Sequence, residues 1–182
     1  YFFKASSSSG IGLKDKGEAY RREMLPFLQH SRHYEGRARY LMEIATQTGE
    51  QDPEAGRKGF EQAAAFALAY QDHLLAGHAV LSASGLVPEE DPDLQLSYLD
   101  RVDSLNQVAQ DTFLMVLSQN FRAETEFQQG DTAYAMQLLH AALELMNQAN
   151  NSGFVAFFNY QIGEREKDFG HLGRAIPYFR TA

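Results

Sequence analysis

Residues Ala123–Ala142 read AETEFQQGDTAYAMQLLHAA, and forty residues later Gly163–Ala182 read GEREKDFGHLGRAIPYFRTA. Laid over one another, the two stretches share Glu124/Glu164, Glu126/Glu166, Gly130/Gly170, Ala135/Ala175 and Ala142/Ala182, and Leu139 falls on Phe179. Similarity at a fixed period is the signature of a repeat architecture, in which each unit buries its apolar face against the next. The matched positions make sense if each unit is a pair of antiparallel helices. Ala123 and Gly163 stand late in the first helix, Gly130 and Gly170 at the turn, and the small, large, small sets Ala135, Leu139, Ala142 and Ala175, Phe179, Ala182 in the second. Spacings of four and three put each set on one helix face. The stripe Ala135, Leu138, Leu139, Ala142, Leu145, Met146, Ala149 then reads as a packing face, with alanines where backbones approach closely.

An earlier copy has Gly49 at a turn, followed by Gly56, Phe60 and Ala63 at the same spacing. Between the copies, HLLAGHAVLSASG ends at Gly85. The next eight residues, LVPEEDPD, hold two prolines and four acids and read as a solvated loop. The register there places Leu94, Tyr98 and Arg101 at the small, large, small positions. Helices are predicted near 15–31, 34–48, 53–70, 72–84, 93–109, 112–129, 131–148, 154–169 and 172–182. No run with the period-two alternation of a strand remains, so the predicted class is all-α. Ser6–Gly12 reads SSSSGIG, and residues 1–14 are expected to be a flexible leader to a helical-repeat domain over 15–182. Its units are expected at 34–70, 71–110, 112–149 and 154–182, the last truncated, since the helix carrying Ala182 presents a face that asks for a following helix.

The chain's 182 residues, 44% of them hydrophobic, suffice for a substantial core. Sixteen basic against twenty-four acidic residues give a net charge of -8, which argues against nucleic acid as partner because phosphate binding needs a surplus of Lys and Arg. With no cysteine there is no disulfide, thiolate metal site or cysteine nucleophile, and the compartment stays open. No apolar run reaches membrane-span length, so direct membrane insertion is not expected.

The units resemble the tetratricopeptide repeat, whose motif has a Leu-Gly pair in the first helix, a glycine turn, and Ala, aromatic, Ala in the second. Ile162-Gly163, Gly170, Ala175, Phe179 and Ala182 carry the likeness, as do Ala123, Gly130, Ala135, Leu139 and Ala142. Gln119 and Asn159 replace the motif's Trp, and Glu126 and Glu166 its Tyr. The forty-residue spacing exceeds the common 34 and is similar to longer-helix members of the superfamily. The resemblance implies a right-handed superhelix of antiparallel helix pairs whose first helices line a groove for a protein or peptide. Carried over by position, that groove is Arg39, Glu43 and Gln47 in one unit, Asn120, Glu124, Phe127 and Gln128 in another, and Tyr160, Glu164, Lys167 and Asp168 in the last. Glu124 and Glu164 point to a partner with basic residues and disfavour a carboxylate-tail ligand. Self-association through the open C-terminal helix face is a second contact the reading admits.

Sharper chemistry finds little support. His30 with His33, and His73 with His78, invite a metal reading, but no Glu-x-x-His accompanies them, and Asp168-x-x-His171 spans a turn. GIGLKDKG at 10–17 lacks the Lys-Ser/Thr ending of a phosphate loop. The acids of Pro88–Asp93 lack the glycine and closing Glu of a calcium loop. No set of nucleophile, base and orienting group is evident, so the expectation is a noncatalytic binding scaffold without metal or cofactor. The alternative is the regulatory region of a larger signalling or transcription-regulating protein, acting by intramolecular contact or dimerisation.

Overall fold

The structure is a computed structural model and describes Ala19, Glu23 and residues 25–182. The expected leader, the GIGLKDKG run and most of the helix at 15–31 lie outside the described residues; 25–29 are helical. The remainder forms α1 (Tyr34–Gly49), α2 (Pro53–Ala69), α3 (His73–Ser84), α4 (Pro92–Ala109), α5 (Thr112–Gln129), α6 (Thr132–Gln148), α7 (Ser152–Asp168) and α8 (Leu172–Thr181). Among the described residues there is no strand. The chain divides into two compact units, one ending at Leu86 and one from Val87 to Ala182, so the division falls inside the expected 71–110 unit.

The helices start on a regular beat. Their N-caps are His33, Asp52, Asp72, Asp91, Asp111, Asp131, Asn151 and His171, always 19 or 20 residues apart. From Asp52 to Asn151 each cap side chain accepts a hydrogen bond from the backbone N–H three residues on, as Asp131 does from Tyr134 and Asn151 from Phe154. Each such bond satisfies a donor the first helical turn leaves orphaned. Pro53 and Pro92 occupy first-turn positions, where a missing N–H costs nothing.

The residue before the cap is left-handed at five turns: Gln71, Gln110, Gly130, Asn150 and Gly170. At four of these the cap residue also closes the preceding helix, its N–H donating to a carbonyl five residues back: Asp72 to Ala67, Asp131 to Glu126, Asn151 to Met146 and His171 to Glu166. One residue thus ends one helix through its backbone, and in the first three cases it starts the next through its side chain, which is why two- or three-residue connections suffice.

In the first unit α1 packs on α2 and α2 on α3. Close approach is made by small residues: a Cβ built on Gly59 would lie 2.8 Å from the Ala45 side chain, and one on Gly56 would lie 2.4 Å from Gly49 Cα. Gly49 is therefore not the turn residue the sequence suggests. It is the last residue of α1, buried against Gly56 and Leu86, and it has no positive φ. Gly56, Phe60 and Ala63 are buried along α2 as expected.

In the second unit each of α4 to α7 packs on its successor. A core of Val116, Ala123, Ala135, Leu139, Ala142, Met146, Phe158 and Ile162 joins α5, α6 and α7. Ala175 is buried like Ala135, and the Phe179 ring lies over Gly163, where a Cβ would meet it at 2.8 Å. Phe179 itself is 37% exposed and Ala182 lies on the surface.

The register of α4 differs from the expected one. Counting from its cap, Asp91, the positions of Ala135, Leu139 and Ala142 fall on Gln95, Leu99 and Val102, and the last two are completely buried. Arg101 is exposed, its guanidinium 5.5 Å from the Tyr98 ring centre, so the Leu94, Tyr98, Arg101 reading is one residue out. The same count explains the first helices. Twelve residues after the cap stand Ala45, Ser84, Ala123 and Gly163, all small and all buried.

Candidate functional site

Forty residues before the apolar contact of α6 with α7, the contact of α4 with α5 carries a polar layer. Leu143, Met146, Phe158 and Ile162 of the later contact correspond to Asp103, Asn106, Ser118 and Arg122 in the earlier one. Phe158 and Ile162 are fully buried side chains in an apolar cluster, whereas Ser118 donates to Asp103 Oδ1 at 2.7 Å. Arg122 reaches from α5 to two carboxylates of α4, Asp100 at 2.8 Å and Asp103 at 2.9 Å. Burial alone would lower the Arg122 pKa, but the hydrogen bonds and charges of Asp100 and Asp103 outweigh it and hold the guanidinium above its ordinary value. Asn106 completes the layer, its amide exchanging two hydrogen bonds with the Asp111 backbone at 3.0 and 2.9 Å.

Polar contacts hold helices together without the interdigitation that closes an apolar seam. The result is an open cleft of about 560 Å³ between the C-terminal half of α4, the adjacent face of α5 and the start of α6. Its polar lining includes four amide side chains, Asn106, Gln107, Gln110 and Gln119, beside Asp103, Asp111, Thr112, Ser118 and Arg122. Met115, Tyr134 and Leu138 give it an apolar wall, and Tyr134 is 42% exposed. Gln119 Oε1 is buried with no hydrogen-bond partner among the described residues.

The groove residues expected from the sequence lie on α1, α5 and α7. On α1, Glu43 is buried and accepts from Gln47 Nε2 at 3.3 Å, with Arg39 half-buried beside them in the sequence. On α5, Glu124 is ion-paired with Arg165 of α7, and the same guanidinium lies 4.5 Å from the Phe127 ring centre. Phe127 also packs toward Phe169, and Phe113 meets Phe154 edge-on at 4.9 Å. Glu124 and Phe127 are therefore part of what holds α7 against α5. Glu164 is paired with Lys167 at 2.8 Å, and that hydrogen bond keeps the ammonium above its usual range. Both carboxylates of the expected negative stripe already carry a cation. Asn120 is half-buried; Gln128, Tyr160, Lys167 and Asp168 are exposed.

None of the cleft residues figured among the expected groove positions. The signal that reveals them is the forty-residue comparison used the other way, for the places where a buried apolar residue of one unit is replaced by a charged or hydroxyl side chain in its counterpart.

The remaining candidates bring no chemistry together. His30 Nδ1 sits 2.8 Å from the Pro26 carbonyl oxygen, and His33 is exposed at the start of α1. His171 pairs with Glu166 across the turn at 2.9 Å, while Asp168 points to the surface. Among the described residues no group of three His, Asp or Glu could hold a metal, and no helix is long and apolar enough to cross a membrane. Asp91 of the acidic loop spends its carboxylate capping α4. In comparisons with protein-family models and with curated proteins, the chain finds no match.

Proposed function

We propose that this chain is a noncatalytic, tetratricopeptide-like scaffold that holds a peptide segment of another protein, with the α4–α5–α6 cleft as the binding place. The right-handed winding and the first-helix groove that the resemblance implies belong to the same proposal. The observation that carries it is the polar layer of Asp103, Ser118 and Arg122 where the repeat pattern calls for apolar packing. Opening a seam in this way forfeits burial that a fold would otherwise keep. Primary amides beside an aromatic and two aliphatic side chains suit a peptide, since each amide can both donate to and accept from a main-chain unit. A second reading, a regulatory region that self-associates, is favoured by the exposed aromatic side chains of α7 and α8.

The first reading is tested by selecting a random-peptide display library on the intact chain. Selected peptides are expected to lose about tenfold in affinity, roughly 1.4 kcal/mol, with Tyr134→Ala or Gln107→Ala. Both side chains are exposed, so melting temperatures should not move. Peptides indifferent to both changes but lost with Tyr160→Ala and Glu164→Lys would transfer the site to the α5–α7 face. Failure to select any binder would count against the scaffold reading itself.

A further inference from the structure

The forty-residue relation also shows what the α4–α5–α6 cleft is missing. One period on, at α6, α7 and α8, the places of Ser118 and Leu138 are held by Phe158 and Tyr178. The Phe158 ring is completely buried in the second-unit core, and Tyr178 packs against the same core, its ring 6.0 Å from that of His140. Two rings therefore help to close the later contact. At the equivalent place in the earlier one stand a hydroxyl and a smaller aliphatic side chain, and both Ser118 and Leu138 line the cleft.

We infer that the cleft takes an aromatic side chain of the bound segment, a ring from outside in place of those this copy of the repeat lacks. Such an anchor rests on the peptide reading proposed above and names which kind of residue the cleft holds. Three side chains of the lining favour a ring over an aliphatic group. Among the described residues Arg122 donates from Nη2 alone, to Asp100 and Asp103. Guanidinium hydrogen bonds lie in the plane of the group, so this pair fixes it and leaves its faces without a hydrogen bond. A ring over such a face is attracted by the charge, a contact this chain already makes between Arg165 and Phe127 at 4.5 Å. Met115 offers a polarisable thioether, which makes favourable contacts with aromatic neighbours. Tyr134, 42% exposed, offers a ring of its own for an edge-on or offset pair. The charges of the lining suit an uncharged anchor, since Arg122 and Asp103 answer each other and Asp111 caps α5.

The test is a titration of the intact chain, its methionine methyl groups carrying carbon-13, with N-acetyl-L-tyrosinamide, followed by nuclear magnetic resonance. Of the described methionines, Met115 is the one that lines the cleft. Its methyl signal, assigned by its loss in Met115→Leu, should show a saturating ring-current shift while the other methionines stay in place as controls. Tyr134→Ala should weaken the probe about fivefold, the size of one aromatic pair. Leu138→Tyr, which restores the ring that α8 carries, should abolish the response with unchanged helical circular dichroism. N-acetyl-L-leucinamide at equal concentration should not displace the probe. A Met115 signal that stays unmoved up to the solubility limit of the probe would overturn the proposal, and so would displacement by the leucine amide. Selected peptides that depend on Tyr134 and Gln107 yet contain no aromatic residue would also overturn it, leaving the scaffold reading intact. A Met115 response without any selectable peptide would do the reverse, upholding the ring site and removing the scaffold reading.

Discussion

At the scale of single residues, the turns show how one backbone requirement is met by different side chains. Gly130 sits at φ 92° with nothing within 4 Å of where a Cβ would be, so its conformation and not its space explains the glycine. Gln71 and Gln110 adopt the same left-handed region with a full side chain, at a cost of about 1 kcal/mol each. Gly130→Ala is therefore expected to destabilise the chain by about 1 kcal/mol, and Gln71→Gly to stabilise it by about 0.5 kcal/mol, both read from urea unfolding midpoints. Equal shifts of one sign in the two variants would contradict this account of the turns.

At the scale of helices, packing rests on small residues at fixed distances from each cap. Ala142 is completely buried in the second-unit core beside Leu139 and Met146. Ala142→Leu should cost about 1–3 kcal/mol by forcing packed helices apart, whereas the same change at exposed Ala133 should be close to neutral; thermal melts of the two variants make the comparison. The helices themselves were legible from sequence because apolar spacing and Gly or Pro punctuation mark their ends. From α1 to α8, boundaries differ from expectation by two residues at most. The one-residue slip in α4 has a physical cause. Leu94, Tyr98 and Arg101 share a face as well as Gln95, Leu99 and Val102 do, and the Asp91 cap, with the forty-residue offset from Ala135, Leu139 and Ala142, picks out the second set. The cleft stayed hidden for a different reason: a pattern built from recurring packing positions is blind to the places where packing is given up. The Glu124–Arg165 pair is not legible because nothing local in the sequence announces that Arg165, forty-one residues away, will reach it.

At the scale of the molecule, the chain is two compact units, each with its own buried core. The stretch Pro88–Asp91 next to their boundary is exposed, and Glu89 and Glu90 are its midpoint. Limited digestion with a glutamyl-specific protease should cut there first, among the described residues, and leave two products that keep helical circular dichroism. First cleavage within α5 or α7 would show that the second unit opens more readily than its core implies. Because helix starts recur every 19 or 20 residues, the second unit has a natural module length. A tandem duplication of residues 111–150 would bring every buried alanine back opposite an equivalent mate and every turn back to a left-handed residue followed by a helix cap. Lengthening by such a step preserves the fold's internal phase, whereas an insertion of any other size inside a helix pair throws it out.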